Sequence, residues 1–392
     1  MEYKLAQETW NQDEYDAIQN VINTGQYSMG PMVENYEKDF AHFFGSKYCV
    51  MCSSGSTANL LMIASLFFTK DKNIQLKRGD EVIVPAVSWS TTFFPLQQYG
   101  LKVKFVDIDK DTLNFDLGSL KKAISINTKV IFSVNLLGNP NNFKEIKQLI
   151  NNKKITLLED NCESMGAKFN GQFAGTFGLM GTFSSFMSHH ISTMEGGCIL
   201  TSNEELYHIL LTLRAHGWTR NLPDKNLVTG QKDPNPFNES FKFVLPGYNV
   251  RPLEMSGAIG LEQLKKLPGF LMHRSENAKY FIDRFTKIPF LRLQQELGES
   301  SWFGFSLILE KDSPISRSGL IKRFQDCKVE CRPIVSGNFV KNSDVLRYFD
   351  YTVHGDLHNA SYLEDNGLFI GNHHFDAKDG LDYVYNVIKE SY

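Results

Sequence analysis

Four short apolar runs, at 80–85, 103–107, 130–134 and 155–160, set the first frame for this chain. Each is largely hydrophobic with little polar alternation, a pattern that predicts strands buried on both faces. Helix-length segments lie between and around them, among them 59–69 and 142–151. This rhythm predicts an α/β fold with a mainly parallel sheet covered by helices on both sides. Ligands of such sheets bind beyond the carboxyl ends of the strands, so polar residues just past a strand are the first functional candidates.

The last third has a different rhythm. A helical stretch at 253–267 is predicted to stop at Pro268-Gly269, and a second helix to follow at 270–286. Beyond it lie a strand (302–309), a helix (316–327) and a C-terminal helix (377–391). A domain change is expected near the helix pair, with a large domain over 1–262 and a smaller one over 263–392. The Asn/Asp/Pro-rich stretch 221–240 reads as a long loop.

Composition narrows the partners. A chain of 392 residues, 42% of them hydrophobic, can bury a sizeable core, and a net charge of -3 gives no bulk attraction for nucleic acid or an anionic membrane. Any anion must therefore be held locally. The most apolar short run, 60–68, is broken by Ser65 and falls far short of the roughly 18 residues that span a bilayer. The start, MEYKLAQETWNQDEYD, lacks the features of a signal peptide, so a cytoplasmic protein is expected. Cysteines stand at 49, 52, 162, 198, 327 and 331. Cys49 and Cys52 have CxxC spacing but no second pair nearby, which favours ordinary buried thiols over a zinc site, and the wide spacing of the others argues against an iron-sulfur cluster.

Four segments carry candidate chemistry. Ser53-Ser54-Gly55-Ser56-Thr57-Ala58 follows a strand and opens a helix, where free amides and hydroxyls can converge on a phosphate or simply cap the helix. Asp160 ends the strand KITLLED, where it faces a ligand such as a protonated ring nitrogen or caps the next helix. Trp89 either stacks on a flat cofactor or fills core volume. His189 and His190 precede a Glu195-Gly196-Gly197 turn. Adjacent residues point in different directions and no HxxH spacing supports a metal, so one acid/base histidine beside one structural histidine is expected.

Together these segments, from the Gly30-Pro31 turn through SSGSTAN, the Trp89 loop, EDNCESMGA, the His189 loop, RAHGWTR and GYNVRPLEMSGAIG to CRPI, stand in an order that resembles the sugar aminotransferases that use pyridoxal 5′-phosphate (PLP). The resemblance covers nearly the whole chain. It implies a fold-type-I PLP-dependent transferase: a large α/β domain and a smaller C-terminal α+β domain. It further implies that Gly55, Ser56 and Ser184 hold the cofactor phosphate, that Trp89 stacks on the pyridine ring, and that Asp160 pairs with the ring nitrogen. Glu163, where this family commonly has Gln, would contact the ring hydroxyl. Asn249 would reach the phosphate of a neighbouring subunit, making a homodimer with shared sites.

One position departs from the family. Six residues before Glu195, where the aminotransferases place their Schiff-base lysine, stands His189, and no Lys occurs between Lys168 and Lys225. Imidazole forms no stable Schiff base, so PLP, or its amine form pyridoxamine phosphate (PMP), would be held without a covalent bond. The His-for-Lys pattern resembles the sugar 3-dehydratases, in which the histidine acts as base and the C3 hydroxyl of a 4-keto sugar is lost. The cysteine spacing is similar to the branch that has no iron-sulfur cluster and no dedicated reductase. That branch implies GDP-4-keto-6-deoxy-D-mannose as substrate, L-glutamate as amino donor, and a place in colitose and O-antigen biosynthesis. His216, Arg220, Arg251 and Arg332 are candidates for the glutamate carboxylate or the sugar diphosphate, with structural roles as the alternative. A perosamine-type aminotransferase and a catalytically silent cofactor-binding protein are the rival readings.

Overall fold

The computed structural model describes residues 1–392. Its centre is an eight-stranded sheet. Seven strands come from the first part of the chain: β1 (Tyr48–Cys52), β2 (Glu81–Pro85), β3 (Lys102–Val106), β4 (Thr128–Val134), β5 (Thr156–Asp160), β6 (Met180–Ser184) and β7 (Gly197–Thr201). Four more follow: β8 (Leu291–Arg292), β9 (Gly304–Leu309), β10 (Cys331–Arg332) and β11 (Tyr351–His354), then β12 (Gly367–Gly371) closes the series. The large sheet runs β1-β7-β6-β5-β4-β2-β3-β11, and only the pairings of β7 with its two neighbours are antiparallel. The expected α/β architecture with a mainly parallel sheet is present.

Alternate side chains explain why the strands are apolar throughout. Val82, Val84, Phe132 and Leu158 pack into one core, while Ile83, Ile131 and Leu157 pack into another with Phe143 and Ile146. Each strand thus buries both faces. The helices that matter for the site are α1 (Gln12–Thr24), α2 (Pro31–Phe44), α3 (Gly55–Phe68), α4 (Ser90–Gln98), α5 (Leu117–Ala123), α6 (Phe143–Ile150), α7 (Glu204–Arg214) and α8 (Glu254–Phe285). No helix is long and apolar enough to cross a membrane.

The helix pair expected at 253–286 is a single helix. α8 runs unbroken through Pro268 and Gly269, and through residues 262 and 263. Proline removes one backbone donor, but burial on two sides outweighs it: Leu264 and Leu267 pack with α2 residues such as Phe40, while Ala278, Phe281 and Phe285 enter a separate C-terminal core with Phe305 and Ile370. That second core lies against a small antiparallel sheet, β8-β9-β12-β10. The C-terminal part also lends β11 to the edge of the large sheet, beside β3. The stretch 221–240 is likewise more ordered than a plain loop, with a two-residue hairpin at 225–231 and a short helix, Pro236–Glu239.

Candidate active site

The carboxyl ends of β5 and β6 meet the starts of α3 and α4. Asp160, the last residue of β5, is 5% exposed. Its Oδ2 accepts hydrogen bonds from Asn59 Nδ2 (2.8 Å) and Thr92 Oγ1 (2.7 Å), and its Oδ1 from the Cys162 amide (3.1 Å). Asn59 is oriented in turn by Thr182 Oγ1 at 2.6 Å, and the Thr92 hydroxyl lies 2.7 Å from Ser88 Oγ. An unpartnered buried carboxylate costs several kcal/mol. Here three donors hold it, and a carboxylate with about four lone-pair sites keeps room for one more. No helix follows β5, so Asp160 caps none.

The phosphate candidates sit on the adjoining turn. Ser54 caps α3 by accepting from the Thr57 amide (3.1 Å) while its own amide donates to Thr57 Oγ1 (3.0 Å). Gly55 and Ser56 head the helix, so their amides have no carbonyl partner in it. A side chain at Gly55 would place its Cβ 2.6 Å from Ser184 Cβ and 2.9 Å from Cys162 Sγ, so glycine is what lets the helix end approach β6 this closely. Ser56 Oγ lies 2.8 Å from Thr91 Oγ1, which ties this turn to the Trp89 segment. Trp89 is 60% exposed and does not fill core. Glu163 accepts from the Leu137 amide at 3.0 Å, and burial pushes its carboxyl up to about 7, opposed by that amide and aided by the nearby Asp160 charge.

The adjacent histidines have separate environments. His190 is buried, and its Nε2 donates to the Ser301 carbonyl at 3.0 Å. His189 makes no side-chain hydrogen bond: its Nδ1 is buried without a partner, and its ring lies edge-on to Phe303 (5.1 Å) and Phe186 (6.1 Å). Burial, then the positive charge of Arg274, push its imidazole down to about 4. The loop is pinned from afar. Ser192 donates through its amide to Gln263 Oε1 (3.0 Å) on α8, and accepts from the Trp10 indole at 2.9 Å. No group of three or more His, Cys, Asp or Glu side chains is placed to hold a metal.

Four of the candidate anion ligands form a second group. The Arg220 guanidinium lies 4.4 Å over the Trp218 ring and that of Arg251 5.8 Å from it, while Arg251 Nε donates to Asn249 Oδ1 at 3.0 Å and the His216 ring sits 4.6 Å from Trp218. Arg220 and Asn249 are exposed. Their segment touches the phosphate turn, because the Ser53 amide donates to the Val250 carbonyl at 2.9 Å. Arg332, on β10 of the small sheet, is exposed and has neither a hydrogen bond nor an ion pair with this group.

Sequence reasoning missed Asn59 and Thr92, although both stand in segments it singled out, four residues after Gly55 and three after Trp89. It also missed Phe303 and Arg274, for which no local pattern exists. The residues brought together fit a flat, phosphorylated, basic heterocycle: two free amides and a hydroxyl for the phosphate, an inward carboxylate with spare acceptor capacity, and an exposed indole nearby.

A family model described as the DegT/DnrJ/EryC1/StrS aminotransferase family matches residues 8–389. The GDP-4-keto-6-deoxy-D-mannose 3-dehydratase of Escherichia coli O55:H7 is 65% identical over 387 residues, covering 99% of this chain and 99% of that protein. A crystal structure of GDP-4-keto-6-deoxymannose-3-dehydratase, a histidine-to-asparagine variant with bound GDP-perosamine, has a TM-score of 0.97 and 65% identity, covering 98% of this chain and 100% of that one. A second structure of that enzyme, with a trapped PLP-glutamate geminal diamine, gives the same TM-score, identity and coverage.

Proposed function

The chain belongs to the DegT/DnrJ/EryC1/StrS aminotransferase family, and we propose that within it the chain is a PLP-dependent lyase acting on GDP-4-keto-6-deoxy-D-mannose. It removes the C3 hydroxyl to give GDP-4-keto-3,6-dideoxy-D-mannose, with L-glutamate as amino donor and release of 2-oxoglutarate and ammonia. The observation that carries this reading is 65% identity to such a dehydratase along the whole chain. The histidine at position 189 agrees with it.

When bound, the cofactor supplies an electron sink joined to the amino nitrogen that glutamate donates, so that removing a proton from its methylene carbon expels the sugar C3 hydroxyl. The chain's residues do the rest. Gly55, Ser56 and Ser184 bind the phosphate, Trp89 covers one ring face, Asp160 keeps the ring nitrogen protonated, and Glu163 meets the ring hydroxyl. His189 takes the proton in both half-reactions, and lacking an amine it leaves the cofactor untethered. His216, Arg220, Arg251 and Arg332 provide cations and donors for the carboxylate and diphosphate.

The reading extends to a cytoplasmic homodimer in which Asn249 reaches the phosphate of the neighbouring subunit. The exposed Phe241, Phe243 and Leu253 around that segment support it. It also keeps the division at 262/263, within α8 and ahead of the point, between Leu267 and Ala278, where that helix leaves one core and enters the other.

The deciding experiment is incubation with PLP, L-glutamate and GDP-4-keto-6-deoxy-D-mannose, followed by mass spectrometry of the sugar. A product that has lost the C3 oxygen and keeps its keto oxygen is expected. Replacement of the keto oxygen by an amino group would instead assign an aminotransferase.

A further inference from the structure

Arg274 is the one feature beside the site that the proposed chemistry leaves unexplained. It lies on α8, is 4% exposed, and forms no ion pair with any carboxylate. Its Nη1 donates to three backbone carbonyls, those of Trp302 (3.3 Å), Phe303 (3.2 Å) and Asn372 (3.1 Å), and its Nε has no partner. Burying an arginine without a counter-ion costs several kcal/mol. Tying down carbonyls does not require that cost, because neutral amides do so alongside it. Asn372 Nδ2 donates to the Trp302 and Arg274 carbonyls (2.9 and 3.1 Å), and Asn277 Nδ2 to those of His373 and Phe375 (3.1 and 2.8 Å). The charge itself is what calls for a reason.

The strap that Arg274 holds leads directly to the histidine pair. The Ser301 carbonyl accepts from His190, and the Phe303 ring stands edge-on to His189. The other end of the strap is fixed by the Ser301 and Phe303 amides, which donate to the Gly138 and Leu137 carbonyls (2.9 and 3.0 Å). Between them Trp302 sits at φ 47°, a conformation a bulky side chain adopts only when its surroundings impose it. The titratable groups that share the Arg274 environment are Tyr3 from the N-terminal segment, His189 and His190 from the loop after β6, and His373 and His374 after β12. None is a carboxylate, and burial keeps the Tyr3 phenol protonated.

We propose that Arg274 is a positioning residue for His189: it fixes the Trp302 and Phe303 carbonyls so that the Phe303 ring seats the imidazole, and its uncompensated charge opposes protonation of that imidazole when the site fills with anions. The inference rests on His189 being the base. A filled site gathers a phosphate, the Asp160 side chain and, in turn, a substrate carboxylate or a diphosphate, all of which favour imidazolium. A protonated His189 cannot accept a proton. A buried cation on the opposing element keeps the imidazole neutral, and its own burial, which lowers its affinity for a proton to about 10, still leaves it charged at neutral pH.

The test is NMR titration of ring-labelled histidines in the PLP-loaded protein, with the His189 signal identified by its loss in His189→Asn. In wild type and Arg274→Lys the His189 midpoint should stay below its ordinary value of about 6.5. In Arg274→Gln, which keeps a donor but no charge, it should rise by about one pH unit or more, and the acid limb of the 2-oxoglutarate-release profile should shift with it. An unchanged midpoint in folded Arg274→Gln, or the same rise in Arg274→Lys, would overturn the proposal. Should neither variant fold, an ordinary wild-type midpoint overturns it alone, and so does a depressed midpoint that returns to its ordinary value when 2-oxoglutarate fills the site; one that stays depressed in the filled site upholds it. A midpoint that is depressed and rises in Arg274→Gln, in protein that does not dehydrate the sugar, would leave the positioning of His189 standing and remove the functional reading instead.

Discussion

The two sides of the site are built on opposite principles. On the Asp160 side the carboxylate is held by hydrogen bonds gathered at a strand end and two helix starts, with donors from Asn59, Thr92 and the Cys162 amide. On the His189 side the key ring has no hydrogen-bond partner, is flanked by two phenylalanines, and feels a buried arginine brought from α8. A group that must hold a fixed charge is surrounded by donors; one that must gain and lose a proton is left unbonded in an apolar setting. The difference separates binding from proton transfer, and substitutions on each side should fail in different ways.

The largest effect is expected from His189→Asn. It should keep PLP, because the binding side is untouched, yet lose both 2-oxoglutarate release and sugar dehydration by a factor on the order of 10² to 10⁴. A coupled assay of 2-oxoglutarate and mass spectrometry of the sugar check the two half-reactions separately. Activity within a few-fold of wild type would move the base elsewhere and dissolve the contrast.

Next comes Asp160→Ala, which removes the carboxylate and strands three donors. Weaker PLP retention together with roughly a hundredfold slower turnover is expected, since the ring nitrogen loses its counter-charge. Asn59→Ala and Thr92→Val each remove one bond to Asp160 worth about 1 kcal/mol, so each should cost roughly five- to tenfold in PLP affinity, measured by dialysis against the free cofactor. Loss of turnover without loss of affinity in these two would mean that they act on the chemistry and not on binding.

The same contrast decides which parts of the molecule are legible in the amino-acid sequence. The binding side is legible because each of its residues stands at a strand end or helix start that the local pattern reveals: Gly55 and Ser56 open a helix directly after a strand, Asp160 ends an apolar run, and Trp89 follows another. The parallel sheet is legible for the same reason, as four unbroken apolar runs separated by helices. The supports of His189 are not, because Arg274, Ser301, Phe303 and Asn372 meet only after the C-terminal part has folded back. The continuity of α8 is hidden because Pro268-Gly269 is a stop signal locally, and only burial of both halves of the helix overrides it. Arg332 belongs to a motif that resembles the family, but the fold leaves it apart from the group formed by His216, Asn249, Arg220 and Arg251.

The smallest effect expected is on stability, and it separates the two sides by the sign of their pH dependence. His189 binds a proton only near pH 4 in the fold, but near its ordinary value of about 6.5 once unfolded. Its folded affinity is depressed, so the unfolded chain takes up more protons between those limits and stability drains away as pH falls from about 6.5 to 4. Glu163 runs the other way. Its folded carboxyl, raised to about 7, stays protonated where the unfolded one ionises, so its contribution is lost as pH rises from its ordinary 4.5. Measured against wild type by urea titration across this range, His189→Asn should therefore lose less stability on acidification, and Glu163→Gln should lose less as pH rises toward 7. Parallel curves for wild type and His189→Asn would show that the unpartnered imidazole titrates normally, and the two sides would then differ in hydrogen bonding alone.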